Sequence, residues 1–283
     1  MTPPHAEPPE GHATLNTGYV TVDGTRLFYR TAGSGTPLVF VHAGVADSRL
    51  WNEQLDTFAA DYRTIAYDLR GFGRSKLPPA PYAHYRDLAA VLDALDVESA
   101  HLVGASMGGA AALDFTLDQP HRVRSLTLVA PGLSGYEVHD PDLRARWDEV
   151  EAAFEAGDFE RTATIESEMW LAGPSRSLDA VDEASRELVR KMLLQSYELA
   201  TDDASESEGE PPAIGRLGDV SVPVLLISGA LDAPVMADIA SVLEAGLADV
   251  QVEVIEGTAH LPSLEKSGEF DAVLRSFLEQ VSL

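Results

Sequence analysis

Three observations predict an α/β fold, a mostly parallel sheet with helices on both faces and an all-helical insertion. Short uninterrupted apolar runs such as PLVFV and VPVLLI have the composition of strands covered on both sides, where neither face meets water. Between such runs, apolar residues return every three or four positions, as Leu88, Val91, Leu92 and Leu95 do, giving helices with one buried stripe. Strand patterning then stops near residue 135 and resumes near 222, so the intervening stretch belongs to something other than the sheet.

The elements follow in order. Residues 18–23 and 25–31 are β-rich and flank Asp23-Gly24, a turn dipeptide that favours a hairpin. PLVFVH (37–42) is a buried strand, 48–60 a helix, and RTIAYD (63–68) a second buried strand. An amphipathic helix covers 84–95. AHLVGAS (100–106) is strand, a small-residue helix runs from Met107 to about Gln119, and RSLTLVAP (124–131) is strand again. Residues 135–200 carry helical patterns only, and TDDASESEGEPP (201–212) is polar, acidic and closed by two prolines, an exposed linker. VPVLLISG (222–229) and VQVEVIEG (250–257) resume the sheet, with a helix between them and another over about 263–281. The expected organisation is a disordered tail (1–16), a core domain (17–134 and 213–283) and a helical cap (135–212).

A chain of 283 residues can bury one sizeable core. With no cysteine, disulfides, thiolate catalysis and Cys-based metal sites are excluded. The net charge of −26 repels nucleic-acid phosphates and anionic lipid, so neither nucleic acid nor membrane is an expected partner. The opening residues MTPPHAEPPEGHATLN lack a basic segment and an apolar run, which is unlike a secretory signal and leaves the cytoplasm as the default location.

One constellation carries chemistry. Gly104-Ala105-Ser106-Met107-Gly108 is the sole G-x-S-x-G, and it joins a buried strand to a helix rich in Gly and Ala. Such a strand–turn–helix elbow crowds its serine, and glycines on either side relieve the crowding. The competing reading is a serine that merely caps a helix. Histidine order separates the two: beyond His139 only His260 remains, just past a buried strand, in the Ser–acid–His order of such elbows. Asp232 follows the preceding strand and is the expected acid; Asp238 falls inside the next helix. Ser106 would be the nucleophile, His260 its base and Asp232 the group that orients the imidazole. The backbone N–H of Met107, at a helix N-terminus, and that of Gly44, with Val45 as the alternative, in the loop after PLVFV, would receive an oxyanion. His42 is expected to brace that loop rather than titrate.

Five segments in this order resemble the α/β-hydrolase fold superfamily: VHAGVADSRLW, YDLRGFGRS, VGASMGG, SGALD and GTAHLPSLE. The resemblance covers about 18–135 and 220–283, and the SMGG elbow is similar to those of 3-oxoadipate enol-lactonases, meta-cleavage C–C hydrolases and small carboxylesterases. Ala43 stands where the family usually has glycine after the histidine, which leaves the oxyanion loop less determined than the triad. The resemblance implies a serine hydrolase of a small carboxylic ester or lactone, working through an acyl-enzyme without cofactor or metal. Alternatives are a ligand receptor that keeps the triad and a triad-dependent C–C hydrolase or lyase. Met169 and Trp170 of the cap are the expected substrate-binding residues. The expected partner is the small-molecule substrate, with a homodimer as a compatible assembly.

Overall fold

The computed structural model describes residues 14–77, 81–200 and 205–282. Strands β1 (Asn16–Val22) and β2 (Thr25–Ala32) form an antiparallel hairpin about Asp23 and Gly24, both at positive φ. This is the primed-turn geometry that the dipeptide favours. Then come β3 (Pro37–Val41), a 3₁₀ turn (Ser48–Trp51), α1 (Asn52–Thr57), β4 (Arg63–Tyr67), the two-residue β5 (Pro81–Tyr82) and α2 (His84–Ala94). Next are β6 (Ala100–Ala105), α3 (Met107–Asp118) and β7 (Val123–Val129). Helices α4 (Pro141–Glu155), α5 (Phe159–Glu166) and α6 (Glu183–Tyr197) follow with no strand among them. The chain returns through the two-residue β8 (Ser205–Glu206) to β9 (Val224–Gly229), α7 (Pro234–Gly246), β10 (Val250–Ile255), α8 (Pro262–Glu265) and α9 (Ser267–Val281).

Eight strands make one sheet in the order β1-β2-β4-β3-β6-β7-β9-β10, parallel from β4 onward. Successive residues of each inner strand enter opposite cores. Val39, Val41, Leu102, Leu126 and Leu226 face one, with α2, α3 and α7 over them. Leu38, Phe40, Val103, Val129 and Leu225 face the other, under α1 and α9. Burial on both faces is why these strands read as unbroken apolar runs. The chain leaves β3 toward β4 on one side and resumes at β6 on the other. That reversal opens a crevice at the C-terminal ends of β3 and β6, where open parallel sheets place ligands.

Three expectations change. The helix read over 48–60 is split, because Asp47 caps a 3₁₀ turn and Trp51 (φ −98°, ψ 20°) interrupts before α1 begins. The helix read over 263–281 breaks at Lys266, whose φ of −140° is extended. The linker read over 201–212 is tied to the core: β8 pairs in parallel with β5, Ser207 N–H donates to Tyr82 O (2.8 Å) and Gly209 N–H to Asp114 Oδ2 (2.9 Å). Residues 1–13 of the expected tail and 201–204 of the linker lie outside the described residues, and β1 already takes up Asn16. Among the described residues, no helix is long and apolar enough to cross a membrane.

Candidate active site

Strand β6 ends in Ser106, whose φ of 50° and ψ of −116° lie where an L-residue rarely goes. Such a conformation costs on the order of 1–3 kcal/mol and persists only where its surroundings enforce it. Here Ser106 N–H donates to Val129 O (2.9 Å), while Ser106 O accepts from Ala110 N–H (3.0 Å) and Gly132 N–H (2.9 Å). A Cβ on Gly104 would sit 2.4 Å from Gly108 O, and one on Gly108 would sit 2.5 Å from both Val41 O and His42 O. Both glycines therefore permit backbone contact that any side chain would block. The Ser106 hydroxyl makes no capping bond to α3, which removes the N-cap alternative.

Asp232 follows β9 and His260 follows β10, so adjacent parallel strands deliver them to the same sheet edge. Their side chains meet at 2.8 Å, His260 Nδ1 to Asp232 Oδ2, with 2% and 4% of each side chain exposed. An ionised carboxylate only accepts, so Nδ1 carries the proton and a neutral ring keeps its lone pair on Nε2. Asp232 Oδ1 accepts from Ala233 N–H (2.7 Å), which fixes the carboxylate plane. Asp238 is exposed on α7, which leaves it out of the site.

Gly44 adjoins the elbow, since a Cβ there would lie 3.1 Å from Met107 Cε. The loop's shape comes from His42, fully buried: Leu69 N–H donates to its Nε2 (2.9 Å), so Nδ1 is the protonated nitrogen and donates to Ala43 O (2.8 Å). Burial pushes its pKa down, so it braces the loop as a neutral ring.

A cavity of about 450 Å³ opens at the serine. Ser106 lines it from the elbow, Met107, Ala110, Ala111 and Asp114 from one face of α3, Leu143 and Trp147 from α4, and Val235, Met236 and Ile239 from α7. Trp170 also lines it, from a π-helical turn (Ser167–Ala172) that continues α5. Its indole lies 4.6 Å from the His260 ring, centroid to centroid, and its carbonyl accepts from His260 N–H (3.1 Å). Trp170 thus connects the serine's cavity to the histidine. Met169 does not reach that cavity: one residue earlier on the turn it points to a separate one, with Leu143, Ala233 and Pro234. The expectation for Met169 at the serine's cavity is corrected accordingly.

Two further residues support the histidine loop. Glu265 Oε1 accepts from Ala259 N–H (2.7 Å), and Oε2 forms a close ion pair with Arg176. Arg176 also donates to Ala172 O (2.7 Å) and Leu171 O (2.8 Å) at the end of the π turn, and to Gly257 O (3.0 Å). Burial pushes the Glu265 carboxyl up, and Arg176 opposes that shift. Glu265 closes the GTAHLPSLE segment, but Arg176 gives no sequence signal beyond being a basic residue in an acidic segment. Among the described residues no group of three or more His, Cys, Asp or Glu could hold a metal ion.

The family model for the α/β-hydrolase fold matches residues 36–267. A candidate carbamate hydrolase, RutD of Azorhizobium caulinodans, is 28% identical over 90% of this chain and 96% of its own length. Carboxylesterase YbfK of Bacillus subtilis is 27% identical over 85% of this chain and 79% of its own. The solved structure of Est816, described as an N-acyl homoserine lactone degrading enzyme, superposes with a TM-score of 0.71 at 28% identity, covering 92% of this chain and all of that one. The chain belongs to the α/β-hydrolase family and is an enzyme of that fold.

Proposed function

We propose that the protein hydrolyses a small carboxylic ester or lactone, with Ser106 as nucleophile, His260 as general base and acid, and Asp232 as the carboxylate that orients the ring. The observation that carries this reading is the buried 2.8 Å His260–Asp232 contact, on loops beside a strained serine elbow. Ser106 Oγ adds to the substrate carbonyl as its proton passes to His260 Nε2. The negative charge grows on the former carbonyl oxygen, where the N–H groups of Met107 and Gly44 would receive it. Collapse expels the alcohol oxygen, which takes the proton from Nε2 and leaves an acyl-enzyme. Water, deprotonated by His260, then releases the acid and restores Ser106.

Helices α4 and α5 with the π turn act in this reading as a cap that shapes access to Ser106, a role supported by Leu143, Trp147 and Trp170 at the cavity wall. The names of similar proteins, a carboxylesterase and a lactone-degrading enzyme, favour carbonyl–oxygen cleavage. The test is turnover of p-nitrophenyl acetate, p-nitrophenyl butyrate and a lactone panel by wild type and Asp232→Asn. Loss of the orienting carboxylate is expected to lower kcat by about 10⁴, a value typical of such triads. Equal turnover by a folded Asp232→Asn protein would refute the assigned roles.

A further inference from the structure

The Ser106 cavity has two unlike ends. Much of its wall is apolar, from Leu133, Leu143, Trp170, Val235, Met236 and Ile239. At the end two turns along α3 from Ser106 stand Asp114, Glu206 and Glu208, and no lysine or arginine lines the cavity among the described residues. His84 lines the same end. Its side chain is 2% exposed, yet neither ring nitrogen has a hydrogen-bond partner, and Nε2 lies 3.8 Å from Glu206 Oε1. A buried polar group left unpaired carries a desolvation cost that a bound donor would remove.

We propose that the end of the cavity built by His84, Asp114, Glu206 and Glu208 receives an ammonium group of the substrate, so that the ester or lactone cleaved at Ser106 carries a basic amine. This rests on the hydrolase reading above. An ammonium offers three N–H donors and no acceptor, which suits the Glu206 and Glu208 carboxylates and the unprotonated nitrogen of His84. Asp114 adds its field but is already engaged by Ser134 Oγ (2.8 Å) and Gly209 N–H. A substrate arm ending in a carboxylate would meet like charges with no cation in the cavity wall to offset them.

The titration states agree with this picture. Burial pushes Glu206 up to about 7, with Glu208 and Asp114 pushing in the same direction. Burial lowers His84 to about 3 and raises Tyr82 to about 12, so both neighbours of Glu206 on the β5–α2 side are neutral near pH 7. No cation of the cavity wall offsets these carboxylates; Arg86 stands outside it, in the adjoining cleft that Glu208 also lines. Its distance from the serine sets the arm length. Asp114 is two turns along α3 from Ser106, ~12 Å at ~1.5 Å per residue, so the amine would sit roughly six to eight atoms from the scissile carbonyl.

Matched substrates test this: the p-nitrophenyl esters of 6-aminohexanoate, hexanoate and adipate as acyl arms, with 6-aminohexyl and hexyl acetate as alcohol arms. In at least one arm the ammonium ester should exceed its neutral partner in kcat/KM by about tenfold, with the adipate ester slowest. The preference should shrink in added salt because Glu206 and Glu208 are partly solvated. It should also fall toward unity in Glu206→Gln/Glu208→Gln. Calorimetry of hexylammonium against hexanoate with Ser106→Ala protein reads the same preference without turnover. No ammonium preference in either arm, or one unchanged in the double variant, overturns the inference. Should no ester turn over, the hydrolase reading fails, while hexylammonium binding in preference to hexanoate would still support the amine site and equal binding would reject it.

Discussion

Replacing Arg176 with glutamine removes one side of a buried ion pair and three bonds to backbone carbonyls. Arg176 is 15% and Glu265 5% exposed, so the carboxylate left behind has little water to turn to. Breaking such a pair by deleting one partner costs about 3 kcal/mol at the low end, and for a chain of this size each kcal/mol lowers Tm by about 2–4 °C. Arg176→Gln should therefore melt about 6–12 °C below wild type at pH 8. The sign of its pH dependence follows from Glu265, whose carboxyl burial already pushes up. Without Arg176 it rises further, so the penalty is full above the folded-state value and fades as acid protonates the group in both states. The deficit should be smaller at pH 5 than at pH 8, and Arg176→Gln/Glu265→Gln should regain part of it. Because the same arginine holds the end of the π turn, and Trp170 O holds His260 N–H, kcat should fall by about 10²-fold with KM little changed. Differential scanning fluorimetry at both pH values, with ester kinetics, is the assay. A Tm within about 1 °C of wild type at pH 8, or a deficit independent of pH, would refute the reasoning.

Other consequences follow from the same packing. Trp170→Ala should change the preference between short and long acyl chains and also slow the smallest ester, because the indole rests on His260 as well as on the cavity; an unchanged chain-length profile would separate it from substrate. Gly173→Ala places a Cβ 2.1 Å from Leu231 O at a φ of +76°, so its unfolding free energy from urea titration should drop by more than ~1 kcal/mol, and a neutral effect would contradict the close approach. Glu206 binds protons more tightly folded than unfolded, so its charging opposes stability as pH rises from 4.5 to about 7; Glu206→Gln should flatten that fall in Tm, and parallel profiles would count against the shift.

The inner strands were legible because burial on both faces leaves no polar position, as in Leu38 through Val41, all fully buried. The hairpin was legible because Asp23-Gly24 tolerates two successive positive φ angles. Pairing of Pro81–Tyr82 with Ser205–Glu206 was not, since a bridge of two residues across such a separation leaves no periodicity. Ser106, Asp232 and His260 could be chosen from chain order and strand ends, which local sequence records. The division between Met169 and Trp170 could not, because a π turn resets the helical phase that would say which side chain faces inward. Glu206 and Glu208 looked like part of a solvated acidic run, and His84 like one more residue at a helix start. Their shared position at the cavity exists only once β8 is laid beside β5.

The central claim is that Ser106 is the nucleophile of a working triad, and covalent labelling tests it most directly. A fluorophosphonate probe should modify the native protein once, with peptide mass spectrometry placing the adduct on Ser106. Ser106→Ala should take no label and lose about 10⁶ in kcat while its circular dichroism matches wild type. An adduct on another residue, or near-normal ester turnover by folded Ser106→Ala, would contradict the account.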